Sequence, residues 1–166
     1  MQLQATGGGA WEMVEMREME FHLLSSIGPS ANVSGDERAT RRLFPTGAIS
    51  GEEREGDDWK ELVVPDLERA FRNAIEVVNG DLAAVEQSER EGEVFFRVKV
   101  SAEHTEHWYS ALNQARLVLA EKFGLPASEE EFLSESAVVD ERWLAGAQSY
   151  LYAVIQTFLL ESVMGV

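Results

Sequence analysis

Apolar residues recur at three- and four-residue intervals along most of the chain, the period of amphipathic helices. Met19, Leu23 and Ile27, with Leu24 beside them, predict a helix from about Arg17 to Ile27, stopped by Gly28-Pro29-Ser30. A short helix fits Asp36 to Leu43, ahead of Pro45. A longer stripe opens at Asp66 and runs through Leu67, Phe71, Ala74, Ile75, Val78, Leu82 and Val85, and Glu91-Gly92 closes it. Ser101 suits the N-cap of a helix carrying Trp108, Ala111, Leu112, Ala115, Leu119 and Phe123, which Gly124 ends. Ser128 to Leu133 reads as a short acidic helix. The last helix runs from about Asp140 to Met164, with Trp143, Leu144, Ala147, Leu151, Val154, Phe158 and Leu159 on its apolar side.

Two segments depart from that period. Val94–Val100 alternates β-branched and aromatic residues with polar ones, the signature of a strand. Trp11–Met16 is short, with Trp11, Met13 and Glu15 on one face, and is predicted to pair with it. Gly7-Gly8-Gly9 carries a large ordering entropy, so residues 1–9 are expected to be a flexible lead-in and residues 10–166 one helical domain. The expected fold class is mainly α: a single-domain bundle of about five helices, with Trp11–Met16 and Val94–Val100 as a two-stranded ribbon packed on it.

Charge narrows the function classes. The 166 residues carry a net charge of −16, which repels a phosphate backbone and an anionic membrane surface alike. No nucleic-acid or membrane partner is therefore expected. The chain has no cysteine, so disulfides, thiolate metal sites and a cysteine nucleophile are excluded. Its first residues lack the basic and apolar regions of a secretory signal. The most apolar run, Tyr150 to Leu160, is far short of the ~20 residues of a membrane span. A cytoplasmic location is the resulting expectation. No nucleophile elbow, phosphate loop or dinucleotide fingerprint occurs, and no cofactor is expected.

Two clusters could carry chemistry. Glu103-His104-Thr105-Glu106-His107 sets His104 and His107 on one helix face, where with Glu103 they could hold a divalent metal. The bland alternative is a polar first helical turn. Asn113 and Arg116 lie among Leu112, Ala115, Leu117 and Leu119, where a guanidinium needs a carboxylate or carbonyl partner. They read as a structural clamp or as a site for an anionic ligand group. In the polar stretch before Asp58, Leu43 and Phe44 are adjacent large apolar residues. The element Arg42-Leu43-Phe44-Pro45 is therefore expected to anchor that stretch to the helix of Trp108, Asn113 and Arg116, and Arg116 is expected to bond a carboxylate or the backbone carbonyls of that element. The acidic run 51–58 reads as solvated.

Two segments together carry a resemblance: Arg42-Leu43-Phe44-Pro45 ahead of the long helix from Asp66, and the helix from His107 through Trp108, Leu112, Asn113 and Arg116 to Leu119. In order and spacing they resemble the bacterial DUF2017 family, over about Trp11 to Phe123. Tyr109 and Gln114 stand where that family usually has Leu and Asp, and Gln114 removes a carboxylate beside Arg116. The resemblance implies a helical domain without an established activity. Its genes lie near that of the ClpS protease adaptor in some bacteria, which implies an adaptor or regulatory protein. The expected function is a non-enzymatic binding module acting through protein contacts. The alternatives are a small metal-dependent hydrolase around His104 and His107, and a structural homodimer joined through the C-terminal helix.

Overall fold

The computed structural model describes residues 1–44, 61–135 and 138–165. Its elements are β1 (Gln2–Gly7), β2 (Ala10–Met16), α1 (Glu18–Ser25), α2 (Ile27–Ser30), α3 (Glu37–Leu43), α4 (Val64–Ala83), β3 (Glu86–Arg90), β4 (Glu93–Val100), α5 (Thr105–Phe123), α6 (Glu129–Glu135) and α7 (Glu141–Phe158). A 3₁₀ turn, Ala102–His104, precedes α5, and a π-helical turn, Leu159–Met164, follows α7. Pro45 and the acidic run 51–58 lie outside the described residues.

The four strands form one antiparallel sheet in the order β1-β2-β4-β3. The expected pairing of β2 with β4 is present, with Trp11 opposite Val100 and Met13 opposite Val98. The expected mainly α bundle with a two-stranded ribbon is nevertheless overturned. The fold is α+β, with a four-stranded sheet whose apolar face packs on helices. The two strands the pattern missed are edge strands. β3 reads Glu-Gln-Ser-Glu-Arg and is exposed throughout, so no apolar alternation marks it. It takes residues assigned above to the long helix, which ends at Ala83. Glu91 and Gly92 both have positive φ, 55° and 83°, and make a two-residue hairpin turn instead of a helix end.

Residues 2–7, expected as a flexible lead-in, are β1. The glycines that suggested mobility make the turn into β2, with φ of 97°, 62° and 85° at Gly7, Gly8 and Gly9. A second irregularity sits in β2. The register shifts between Met13 and Met16, and Glu15 has φ 53°. This bulge brings Met16, not Glu15, onto the face of Trp11 and Met13, and all three are buried. Glu15 is released to pair with Arg90 Nη1 at 3.3 Å. The sheet's other face is polar. Arg97 donates to the buried Glu12 from Nε at 3.0 Å and Nη2 at 2.6 Å. The hydrogen bond from Lys99 holds the Glu86 carboxyl below its usual range.

Helix α5 is the centre of the helical layer and packs against α2, α3, α4 and α7. Trp108, Ala111, Leu112, Ala115, Val118 and Leu119 are buried along it, and Gly124 ends it with φ 57°. The core joins these, except Val118, which packs with Ala39 and Leu43, to Trp11, Met13, Val98, Val78, Leu24, Tyr152 and Ile155. Trp11 meets Trp108 edge-on at 5.5 Å between centroids, and Phe21 stacks on Phe96 at 4.4 Å. Helix α6 approaches α7 closely at Gly146, where an added Cβ would lie 2.7 Å from the Phe132 ring. Asp140 caps α7 by accepting from the Trp143 amide at 2.8 Å.

Candidate functional site

Three places hold the residues the sequence singled out. The first joins the end of α4 to the start of α5. His104 Nδ1 faces Asp81 Oδ1 at 2.9 Å, and Trp108 Nε1 donates to Asp81 Oδ2 at 2.8 Å. Thr105 Oγ1 donates to the carbonyl of Gly9 at 2.9 Å, which fastens the β1–β2 turn to the same corner. His104 is thus drawn to Asp81 and not to His107, while Glu103 is exposed. Among the described residues no three His, Asp or Glu side chains come together as a metal site. The Asp81 carboxylate holds Nδ1 of the His104 ring, whose side chain is 38% exposed. The arrangement orients a ring and closes a corner.

The second place is Arg116. Its Nη2 donates to Glu129 Oε1 and its Nη1 to Gln156 Oε1, both at 2.9 Å. Ser149 Oγ donates to the same Glu129 oxygen at 2.8 Å, and Gln156 Nε2 reaches the Tyr109 carbonyl at 3.4 Å. One guanidinium therefore ties α5 to both α6 and α7. Of the two partners expected for Arg116, a carboxylate is the one present, Glu129 on α6, and not a backbone carbonyl of Arg42, Leu43 or Phe44, because α3 sits on a different side of α5. Asn113 and Arg42 are exposed and do not join the cluster. The expected packing of the loop element on α5 is present through Leu43, which is buried with Ala39 and Val118. Phe44 is only half-buried, tilted against Phe71 at 5.6 Å. Phe44→Ala should accordingly cost about 1–2 kcal/mol in urea unfolding, below the ~3–5 of a fully buried ring.

Glu129 gives the clamp a pH signature. Burial pushes its carboxyl up, but the Arg116 fork and the Ser149 hydroxyl outweigh that and hold it below the usual glutamate range. A carboxyl depressed on folding adds stability above its ordinary pKa and loses it as pH falls through the folded value. The protein should therefore lose melting temperature more steeply between about pH 5 and pH 3 than Glu129→Gln does. Equal slopes in the two proteins would show that Glu129 is not held.

Sequence reasoning reached Arg116, His104 and Trp108 but missed Asp81, Glu129, Ser149 and Gln156. Ser149 and Gln156 did leave a signal, since they lie seven apart inside an apolar helix, as Gln148 does beside them. Gln148 donates to Tyr152 Oη at 2.7 Å, and that hydroxyl donates to the Leu23 carbonyl at 2.9 Å. Burial pushes the Tyr152 phenol well above its usual value.

The third place is the outer side of α7. Ala145, Gln148, Ser149, Tyr152, Ile155 and Gln156 turn inward and are buried. The opposite side presents Leu144, Tyr150 and Val154, which are 41%, 37% and 38% exposed. Ala147 is half-buried along it, while Leu151 and Phe158 pack against the core, the Phe158 ring 6.0 Å from that of Trp11. Positions 143–160 contain no Asp, Glu, Lys, Arg or His, in a chain that is 27% charged. Strand β1 lies against the π-helical turn after α7, and residues 1–11 also carry no charged side chain. Among the described residues no helix is long and apolar enough to cross a membrane.

Comparison with curated proteins and with solved structures finds no match. The family model described as "Domain of unknown function (DUF2017)" matches residues 4–166, essentially the whole chain, and the protein belongs to that family.

Proposed function

We propose that this protein is a non-catalytic, cytoplasmic binding module that acts through protein contacts made by the outer side of α7. The observation that carries the reading is the uncharged, partly exposed face over positions 143–160 of a chain with net charge −16. Scattered exposed apolar residues are ordinary, but Leu144, Tyr150 and Val154 within about three helical turns that carry no charge have the make-up of a contact surface. The two polar clusters support the same reading. Each ties helices together by hydrogen bonds, His104 and Trp108 through Asp81 and Arg116 through Glu129 and Gln156, which is a structural task.

The test is photo-crosslinking in the cells that make the protein. A photoreactive side chain replaces Val154 on α7 or, as control, Ser88 on the exposed β3 strand. Adducts should form from position 154 and not from position 88. No adduct from position 154, or equal adducts from both, would remove the proposal.

A further inference from the structure

We infer that the groove between α2, α3, α4 and α5 binds a small, neutral, planar aromatic molecule that carries one N–H or O–H group. The site goes beyond the contact surface on α7 and shares no residue with it. The groove has a volume of about 410 Å³, within the ~300–1,000 Å³ of small-molecule sites. Its walls are apolar: Val33 from the link between α2 and α3, Leu43 and Phe44 from the end of α3, and Phe71 and Ile75 from α4. Phe71 and Ile75 are four apart on that helix and so share a face. Leu43 is buried and the other four are half-buried, so the walls keep apolar area to give to a ligand. The Phe44 and Phe71 rings are tilted by 40° with centroids 5.6 Å apart. Each ring keeps part of its surface free of the other, for a third ring to meet edge-on or in an offset stack.

The residue that selects the ligand is Gln114. It lines the groove from α5 and is 3% exposed. A carboxamide offers two donors and an oxygen acceptor. Gln114 uses one donor among the described residues, in a 3.3 Å contact from Nε2 to Ser110 Oγ, and its Oε1 accepts from none of them. The two other buried glutamines, Gln148 and Gln156, each make two hydrogen bonds. A buried acceptor without a partner is costly, and a ligand donor brought in along apolar walls removes that cost. The mouth sets the ligand's charge. Glu68 and Arg72 stand exposed there, four apart on α4, and their opposite charges cancel. An ion gains nothing from that rim and loses its hydration against the walls, whereas a neutral ring with a donor at one edge satisfies both the walls and Gln114.

Indole and N-methylindole, which differ at the N–H, are the probes, titrated separately into the isotope-labelled full-length chain and followed by NMR. Indole should shift the side-chain amide of Gln114 and the backbone amides of Val33, Phe44 and Phe71, with a Kd of about 1 mM or tighter. N-methylindole should bind at least about fivefold more weakly, because it leaves the Gln114 oxygen unpaired. That comparison uses the parent chain alone and does not depend on a variant folding. Gln114→Met keeps an unbranched side chain of similar size but has no carboxamide, and it should bind the two probes equally. No shift from indole up to about 5 mM, shifts confined to residues outside the groove, or equal affinity of the parent for both probes would each overturn the inference. A Gln114→Met variant that still prefers indole would overturn it as well. Crosslinking from position 154 reads α7 separately, so failure of this site and failure of that surface are told apart.

Discussion

Trp108→Ala is expected to cost about 3–5 kcal/mol, the largest single loss in this molecule. The ring is fully buried, its edge meets Trp11 at 5.5 Å, and its Nε1 donates to Asp81 at 2.8 Å. Truncation removes the ring from the centre of the core and leaves a cavity between the sheet and α5. It also takes one of two partners from a half-buried carboxylate, leaving Asp81 with His104 alone. At roughly 2–4 °C per kcal/mol for a chain of this size, the melting temperature should fall by about 10 °C. Trp108→Phe separates the two contributions. It keeps most of the apolar volume and loses only the hydrogen bond, so about 1–2 kcal/mol should be lost in urea titration. An alanine variant within about 1 kcal/mol of the parent would mean that Trp108 is not the centre of the core.

Arg116→Met is expected to cost about 1–3 kcal/mol. Methionine preserves the packing of the aliphatic stem while deleting the fork that joins Glu129 to Gln156. The loss comes mostly from what is left behind. Glu129 has a side chain only 14% exposed and keeps just the Ser149 hydroxyl as a side-chain partner. A double variant, Arg116→Met with Glu129→Gln, should therefore be more stable than the sum of the two single losses predicts. Additive losses would show that the two groups act independently, and an unchanged Arg116→Met would leave the clamp without an energetic role.

What could be read beforehand followed from how each signal arises. The β2–β4 pair was legible because half-buried strands alternate, and α4, α5 and α7 because each buries a stripe. β1 and β3 were not, since an edge strand facing solvent needs polar residues and so resembles a loop. The bulge at Glu15 was equally hidden: it depends on a left-handed backbone at one glutamate that no local pattern announces. Within the candidate site, Arg116 stood out as a charge among leucines. Glu129 did not, because Glu129, Glu130 and Glu131 are alike in sequence and only the fold turns one of them inward. Asp81 was hidden similarly, at the end of a helix whose stripe passes it by. Arg116 meets the expectation that at least one of this pair is half-buried, while Asn113 is exposed.

The outer side of α7 as a contact surface is the central claim, and oxidative footprinting reads it directly. Tyr150 and Met164 are exposed on or just beyond α7, and Met19 is exposed on α1. Hydroxyl radicals should modify all three in a dilute sample. In the cells that make the protein, Tyr150 should be protected severalfold relative to the purified dilute sample, while Met19 reacts as before. Equal reactivity of Tyr150 in the purified and in-cell samples would contradict the account, because it would leave the uncharged side of α7 facing water in the working state.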